Sequence, residues 1–161
     1  MIQRIPSVYL ALVAILSFSS MMCPLVSFHK DAEEIAMFNN WYFSSGLSQL
    51  EAIESLAPLA LGGLLAVIGL LSLMSVMLFR FRMRQLRLTV FSSLLLLGYI
   101  GVCAFLAFKF SADLDASGFD GKTLSFHVAT IFPVLSFIFN LLAIHGIRKD
   151  ERLVRSLDRI R

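Results

Sequence analysis

The sequence predicts an all-α membrane protein: a four-transmembrane-helix antiparallel bundle with both termini in the cytoplasm. Three observations carry that reading. Hydrophobic residues make up 58% of the 161-residue chain and charged residues 16%, against roughly 45–50% and 25% in soluble domains. The excess is gathered into four stretches without Asp, Glu, Lys or Arg, at about 5–28, 56–79, 88–108 and 124–147, and about 20 such residues span a hydrocarbon core of about 30 Å. All ten arginines fall on one side of those stretches, as the positive-inside bias of short loops requires.

The charge count fixes the orientation of this single membrane domain, 1–161. The arginine side carries eleven basic and three acidic residues, the other side three basic and eight acidic. The net charge of +3 therefore reflects insertion and contact with anionic lipid, and no nucleic-acid partner is expected.

The first span follows Arg4, with Pro6 in its opening turn, where a missing N–H costs nothing. A cleaved signal peptide competes for this segment, since Arg4, the apolar run Val8–Phe18 and Ser17-Phe18-Ser19 fit one. The apolar run continues to Phe28, which favours a retained span. Cys23-Pro24 marks a point of bending or early termination. The periplasmic loop 29–55 opens on Asp31, Glu33 and Glu34 and continues into Phe38-Asn39-Asn40-Trp41-Tyr42-Phe43. Asn39-Asn40 suits the turn of a short extended hairpin, because Asn tolerates positive φ. An interfacial helix is the alternative, with Ile35, Phe38, Trp41 and Tyr42 on one face.

Span two carries Gly62, Ala66 and Gly69, and span three Gly98 and Gly101, small residues that permit close helix packing. The cytoplasmic turn 80–87 between them, with Arg80, Arg82, Arg84 and Arg87, is short enough to force antiparallel neighbours. The second periplasmic loop, 109–123, alternates Asp with small residues but lacks the closing Glu of a calcium loop, and reads as a solvated turn. Pro133 in span four predicts a kink. Ser136 and Asn140, four residues apart on one face, predict an interhelical polar contact. The tail 148–161 carries Arg148, Lys149, Arg152, Arg155 and Arg159, and Leu153, Val154, Leu157 and Ile160 follow a helical period.

No chemistry of an enzyme is legible. The spans hold no ionisable residue apart from histidines near the ends of the fourth, and pathways for ions or substrates generally need them. There is no phosphate-cradling glycine loop and no Ser–His–carboxylate set. No catalytic residue, cofactor or metal ligand is assigned. Cys23 and Cys103 read as apolar fillers, with a disulfide conceivable but not predicted.

The opening Met1-Ile2-Gln3-Arg4-Ile5 and Ser7-Val8-Tyr9-Leu10, the central Phe79–Arg87 turn and the closing Ile147–Arg161 resemble a family of four-span inner-membrane proteins from Bacteroidota, catalogued as a domain of unknown function. The resemblance covers the whole chain and implies a Gram-negative cytoplasmic membrane with a periplasmic outer face. It supplies no catalytic residue. The expected role is a non-enzymatic accessory or scaffold protein whose basic turn and tail dock a partner protein or anionic lipid. Two alternatives stay open: a small oligomeric channel or transporter with a path near Ser136 and Asn140, and a periplasmic binding or sensing module built on Trp41–Phe43. Homo-oligomerisation is left open as well.

Overall fold

The computed structural model describes residues 5–30, 33–45, 56–78, 81–116 and 123–158. Its elements run α1 (Ile5–Met22), β1 (Val26–Lys30), β2 (Glu33–Phe38), β3 (Phe43–Ser45), α2 (Leu56–Met77), α3 (Arg82–Ala116), β4 (Thr123–Phe126), a 3-10 turn (Val128–Thr130) and α4 (Ile131–Asp158). Four of the helical segments are long and apolar enough to cross a membrane: Ile5–Met22, Leu56–Met77, Arg82–Ala112 and Val128–Val154. Packing joins α1 to α2 and α4, and α3 to the same two helices, so the four form a ring in chain order.

Each helix buries one residue every three or four. The buried series are Pro6, Leu10, Val13, Ser17 and Ser20 on α1, and Pro58, Leu61, Leu65, Ile68, Ser72 and Ser75 on α2. On α3 they are Gln85, Thr89, Ser92, Leu96 and Tyr99, and on α4 Pro133, Ser136, Asn140, Ala143 and Ile147. This spacing puts the buried residues on one stripe of each helix. The outward faces, with Val8, Ile15, Val67, Leu70, Leu94, Leu97 and Phe105 among the exposed side chains, are equally apolar. Hydrophobic periodicity is therefore almost erased: core and lipid ask for the same side chains, and small polar residues mark the inner face instead.

Two segments expected to be helical are strands. The first span ends at Met22, six residues short of its expected end at Phe28. Pro24 disfavours helical geometry at Cys23 and removes an N–H that a continuing helix needs. Val26–Lys30 then forms β1. The expected start of span four, from Leu124, lies likewise in β4, and α4 begins only at Ile131. Pro133 consequently falls in the first turn of α4, where it has no hydrogen bond to break, and the expected kink has no cause. The tail continues α4 unbroken to Asp158. At the other end of α3 the helix starts at Arg82, so the expected eight-residue turn is largely helix.

The strands form one antiparallel sheet in the order β3-β2-β1-β4. Connectivity puts it at the end of the bundle where α1 and α3 finish and α2 and α4 begin. The extended form of the first loop is the observed one: β2 and β3 make a hairpin closed by the Phe38–Phe43 pair, with Asn39 N–H donating to Tyr42 O across the turn at 3.0 Å. Val26, Phe28, Ala36 and Phe38 are buried between sheet and bundle, where the Phe38 and Phe110 rings meet at 5.3 Å. The link between α1 and β1 is tied down at Leu25, whose N–H donates to Phe38 O and whose carbonyl accepts from His127 N–H. Cys23 and Cys103 are both free thiols.

Candidate functional site at the basic end and its structural counterpart

The sheet end is held by the hairpin tip. A helix leaves its last carbonyls without internal partners, and α1 has Pro24 where a continuing backbone N–H would be needed. The tip supplies the partners: Asn40 Nδ2 donates to Ser20 O at 2.8 Å, and Trp41 Nε1 donates to Met21 O at 3.0 Å. Tyr99 Oη of α3 donates to Asn40 Oδ1 at 2.6 Å. Gly62 of α2 completes the seat, because a Cβ there would stand 2.7 Å from Asn40 O and 3.0 Å from the Trp41 ring. Asn40 is fully buried and engages three helices at once.

The small residues singled out in the sequence divide into two groups. Gly62 takes the hairpin tip and Gly69 takes the Phe18 ring of α1, 3.0 Å from where its Cβ would be. Ala66 packs against the core between them. Gly98 and Gly101 face outward with nothing within 4 Å of a Cβ position, so the close approach expected of them is not made among the described residues. Of the expected polar pair, Asn140 Nδ2 donates to Ser92 Oγ of α3 at 2.8 Å, buried. The Ser136 hydroxyl is buried on the same seam without a partner among the described residues.

Asn140 and Ser92 belong to a longer series that the sequence reading did not assemble. Ser75 of α2 shares a hydrogen bond with Thr89 of α3 at 3.0 Å, and Thr89 Oγ1 donates to Gln85 O at 2.8 Å. The signal for these residues is their spacing: Ser17 and Ser20, Ser72 and Ser75, Gln85, Thr89 and Ser92, and Ser136 and Asn140 recur at three or four within stretches otherwise apolar.

At the opposite end the charged side chains gather. Arg82, at the start of α3, donates from Nη1 to Asp150 O on α4 at 3.3 Å, which fixes the two basic segments side by side. Arg84 lies over the exposed Phe81 ring at 5.0 Å, and Arg87 is exposed on the next turn. His145, Arg148, Lys149, Arg152 and Leu153 occupy one face of α4 and line a recess of about 450 Å³. Arg80 and Arg159 lie outside the described residues, and Arg155 is placed only as a backbone position of α4. No group of three or more His, Cys, Asp or Glu suited to a metal ion occurs among the described residues. A cleft of cationic side chains is chemically fitted to bind an anion.

Four helices long and apolar enough to cross a membrane, capped by a small sheet and edged by arginine, place the protein in the class of helical-bundle membrane proteins. The chain belongs to the family described as "Domain of unknown function (DUF4293)", whose family model matches residues 2–160. No curated protein matches the chain.

Proposed function

We propose that this is a non-enzymatic accessory protein of a Gram-negative inner membrane, with both termini cytoplasmic, whose basic end docks anionic phospholipid. The observation that carries the reading is the recess on α4, where Arg148, Lys149 and Arg152 converge with His145 just beyond the apolar part of the helix. With the apolar part of the helix inserted, three permanent cations would sit at headgroup depth. Each basic residue near an anionic surface contributes about 1 kcal/mol. Three acting together favour an anionic over a zwitterionic headgroup by roughly 3 kcal/mol, about a hundredfold. Asp150 and Glu151 interrupt the basic series, which gives the surface a defined pattern of charge.

The test is the lipid retained after mild-detergent purification. Native mass spectrometry of the unaltered protein should find phosphatidylglycerol or cardiolipin bound. The Arg148→Gln/Lys149→Gln/Arg152→Gln variant should lose that preference while keeping its thermal stability. Equal retention by the two proteins refutes the reading, and a co-purifying acidic protein in place of lipid transfers the surface to a protein partner.

The channel alternative draws on the unpartnered Ser136 hydroxyl and Asn140 Oδ1 in the bundle interior. Asn140→Leu should abolish solute flux in proteoliposomes if that path operates; a change confined to stability leaves Asn140 as a structural bridge. For the sensing alternative, the Trp41 N–H is committed to the end of α1, while the Trp41 and Tyr42 rings are both exposed at the tip.

A further inference from the structure

Serine and threonine inside helices commonly return their hydroxyl to a carbonyl three or four residues back. Thr89, Ser92 and Ser93 do so, donating to Gln85 O, Thr89 O and Val90 O. Ser17, Ser20, Ser72 and Ser136 do not. Each of these hydroxyls is buried and has no hydrogen-bond partner among the described residues, and the same is true of Asn140 Oδ1 and Gln85 Nε2. All six residues are at least nine-tenths buried, and they come from all four helices.

Their levels follow from the bonds already described. Gln85, Thr89, Ser92, Leu96 and Tyr99 climb the inner face of α3, about 21 Å at 1.5 Å per residue. Ser75 is level with Thr89, and Asn140 with Ser92, because they are bonded. One turn back along α2 and α4, toward the sheet, Ser72 approaches the level of Ser92, and Ser136 that of Leu96. Ser17 lies one turn below Ser20, whose carbonyl holds Asn40 beside Tyr99. The unpaired atoms thus form a sequence of steps along the bundle axis, closed at the sheet end by the hairpin tip.

Buried polar atoms left without a partner are destabilising, and in native proteins they generally mark bound water or an ion. The donor set chooses between the two. It consists of neutral hydroxyls, one amide oxygen and one amide N–H₂ group, and the uncharged stretches 5–28, 56–79, 88–108 and 124–147 hold no carboxylate to balance a desolvated cation. Gln85 Nε2 can only donate, which suits an acceptor and repels a cation. Water donates and accepts, and internal waters number about one per 27 residues.

We infer that the bundle axis is a water-binding site: a file of ordered waters held by Ser17, Ser20, Ser72, Ser136, Asn140 and Gln85, stoppered by Asn40 and Tyr99. The inference is independent of lipid docking at the basic end, and none of these residues belongs to that surface. Solid-state NMR of the unaltered protein in bilayers of deuterated lipid reads it directly. Magnetisation should pass from water to Ser136 and Asn140 and not to the outward Leu94 and Leu97; no transfer to Ser136 or Asn140 overturns the inference. In a second measurement, Ser72→Ala and Ser136→Ala should each lower Tm by about 2–4 °C, because a bound water loses a partner. A raised or unchanged Tm means the hydroxyls were unpaired in a dry core, which also overturns it. Replacing sodium and potassium by choline should leave Tm unaltered; a fall assigns the site to a cation and not to water.

Discussion

The two ends of this bundle are finished in opposite ways. At the sheet end, side chains from a loop reach inward: Asn40 and Trp41 donate to the last carbonyls of α1, Tyr99 donates to Asn40, and Gly62 leaves the room they need. At the basic end, Arg84, Arg87, Arg148, Lys149 and Arg152 are exposed, and Arg82 is tied to the facing helix through Asp150 O. Hydrogen bonds inside a low-dielectric core are strengthened and costly to break, whereas exposed charges are screened and contribute little to folding. The difference sets an inward end that holds the helices in register against an outward end of exposed cations, the surface to which the proposed docking is assigned.

The largest expected effect comes from breaking the inward end. Asn40→Ala removes both bonds of that side chain and strands Ser20 O and Tyr99 Oη in the interior, a loss of about 2–4 kcal/mol. Denaturation in detergent should show it as an early loss of helix signal. Next comes the pair Gly62→Ala and Gly63→Ala. The first puts a methyl 2.7 Å from Asn40 O and the second meets nothing within 4 Å. Gly62→Ala should therefore destabilise and shift the emission of Trp41, the single tryptophan. Gly63→Ala should stabilise by about 0.5–1 kcal/mol through helix propensity. If the two substitutions behave alike, the hairpin tip is not seated on α2.

Asn140→Leu should cost about 0.6–1.7 kcal/mol, the range of single interhelical hydrogen bonds in membranes, since Ser92 keeps its bond to Thr89 O. Gly98→Ala and Gly101→Ala sharpen the comparison from the lipid face. In a monomer each gains about 0.5–1 kcal/mol, while a loss identifies a surface where a second copy packs.

Much of this architecture could be read from charge and hydropathy, because insertion is governed by exactly the quantities a sequence displays. The four long apolar helices follow from that, and of the two readings of the first loop the Asn39-Asn40 hairpin is the observed one. The boundaries did not follow. Leu25-Val26-Ser27-Phe28 and Leu124-Ser125-Phe126 are short apolar runs that hydropathy cannot distinguish from the end of a helix, and pairing across the sheet makes them strands. The burial of Asn40 was not legible either, since a turn asparagine is ordinarily solvated and its partners Ser20, Tyr99 and Gly62 are far away in the chain. The polar seam was partly legible: Ser136 and Asn140 stood out as a pair, but Ser17, Ser72, Ser75, Gln85, Thr89 and Ser92 were hidden one by one among residues that suit any spanning helix.

Hydrogen–deuterium exchange compares both ends in one experiment, with the protein in nanodiscs of phosphatidylcholine alone and of phosphatidylcholine with phosphatidylglycerol. Anionic lipid should slow exchange at 145–153 and leave 36–42 unaltered. Protection that appears at the hairpin instead, or no change at 145–153, would contradict the assignment of binding to the basic end.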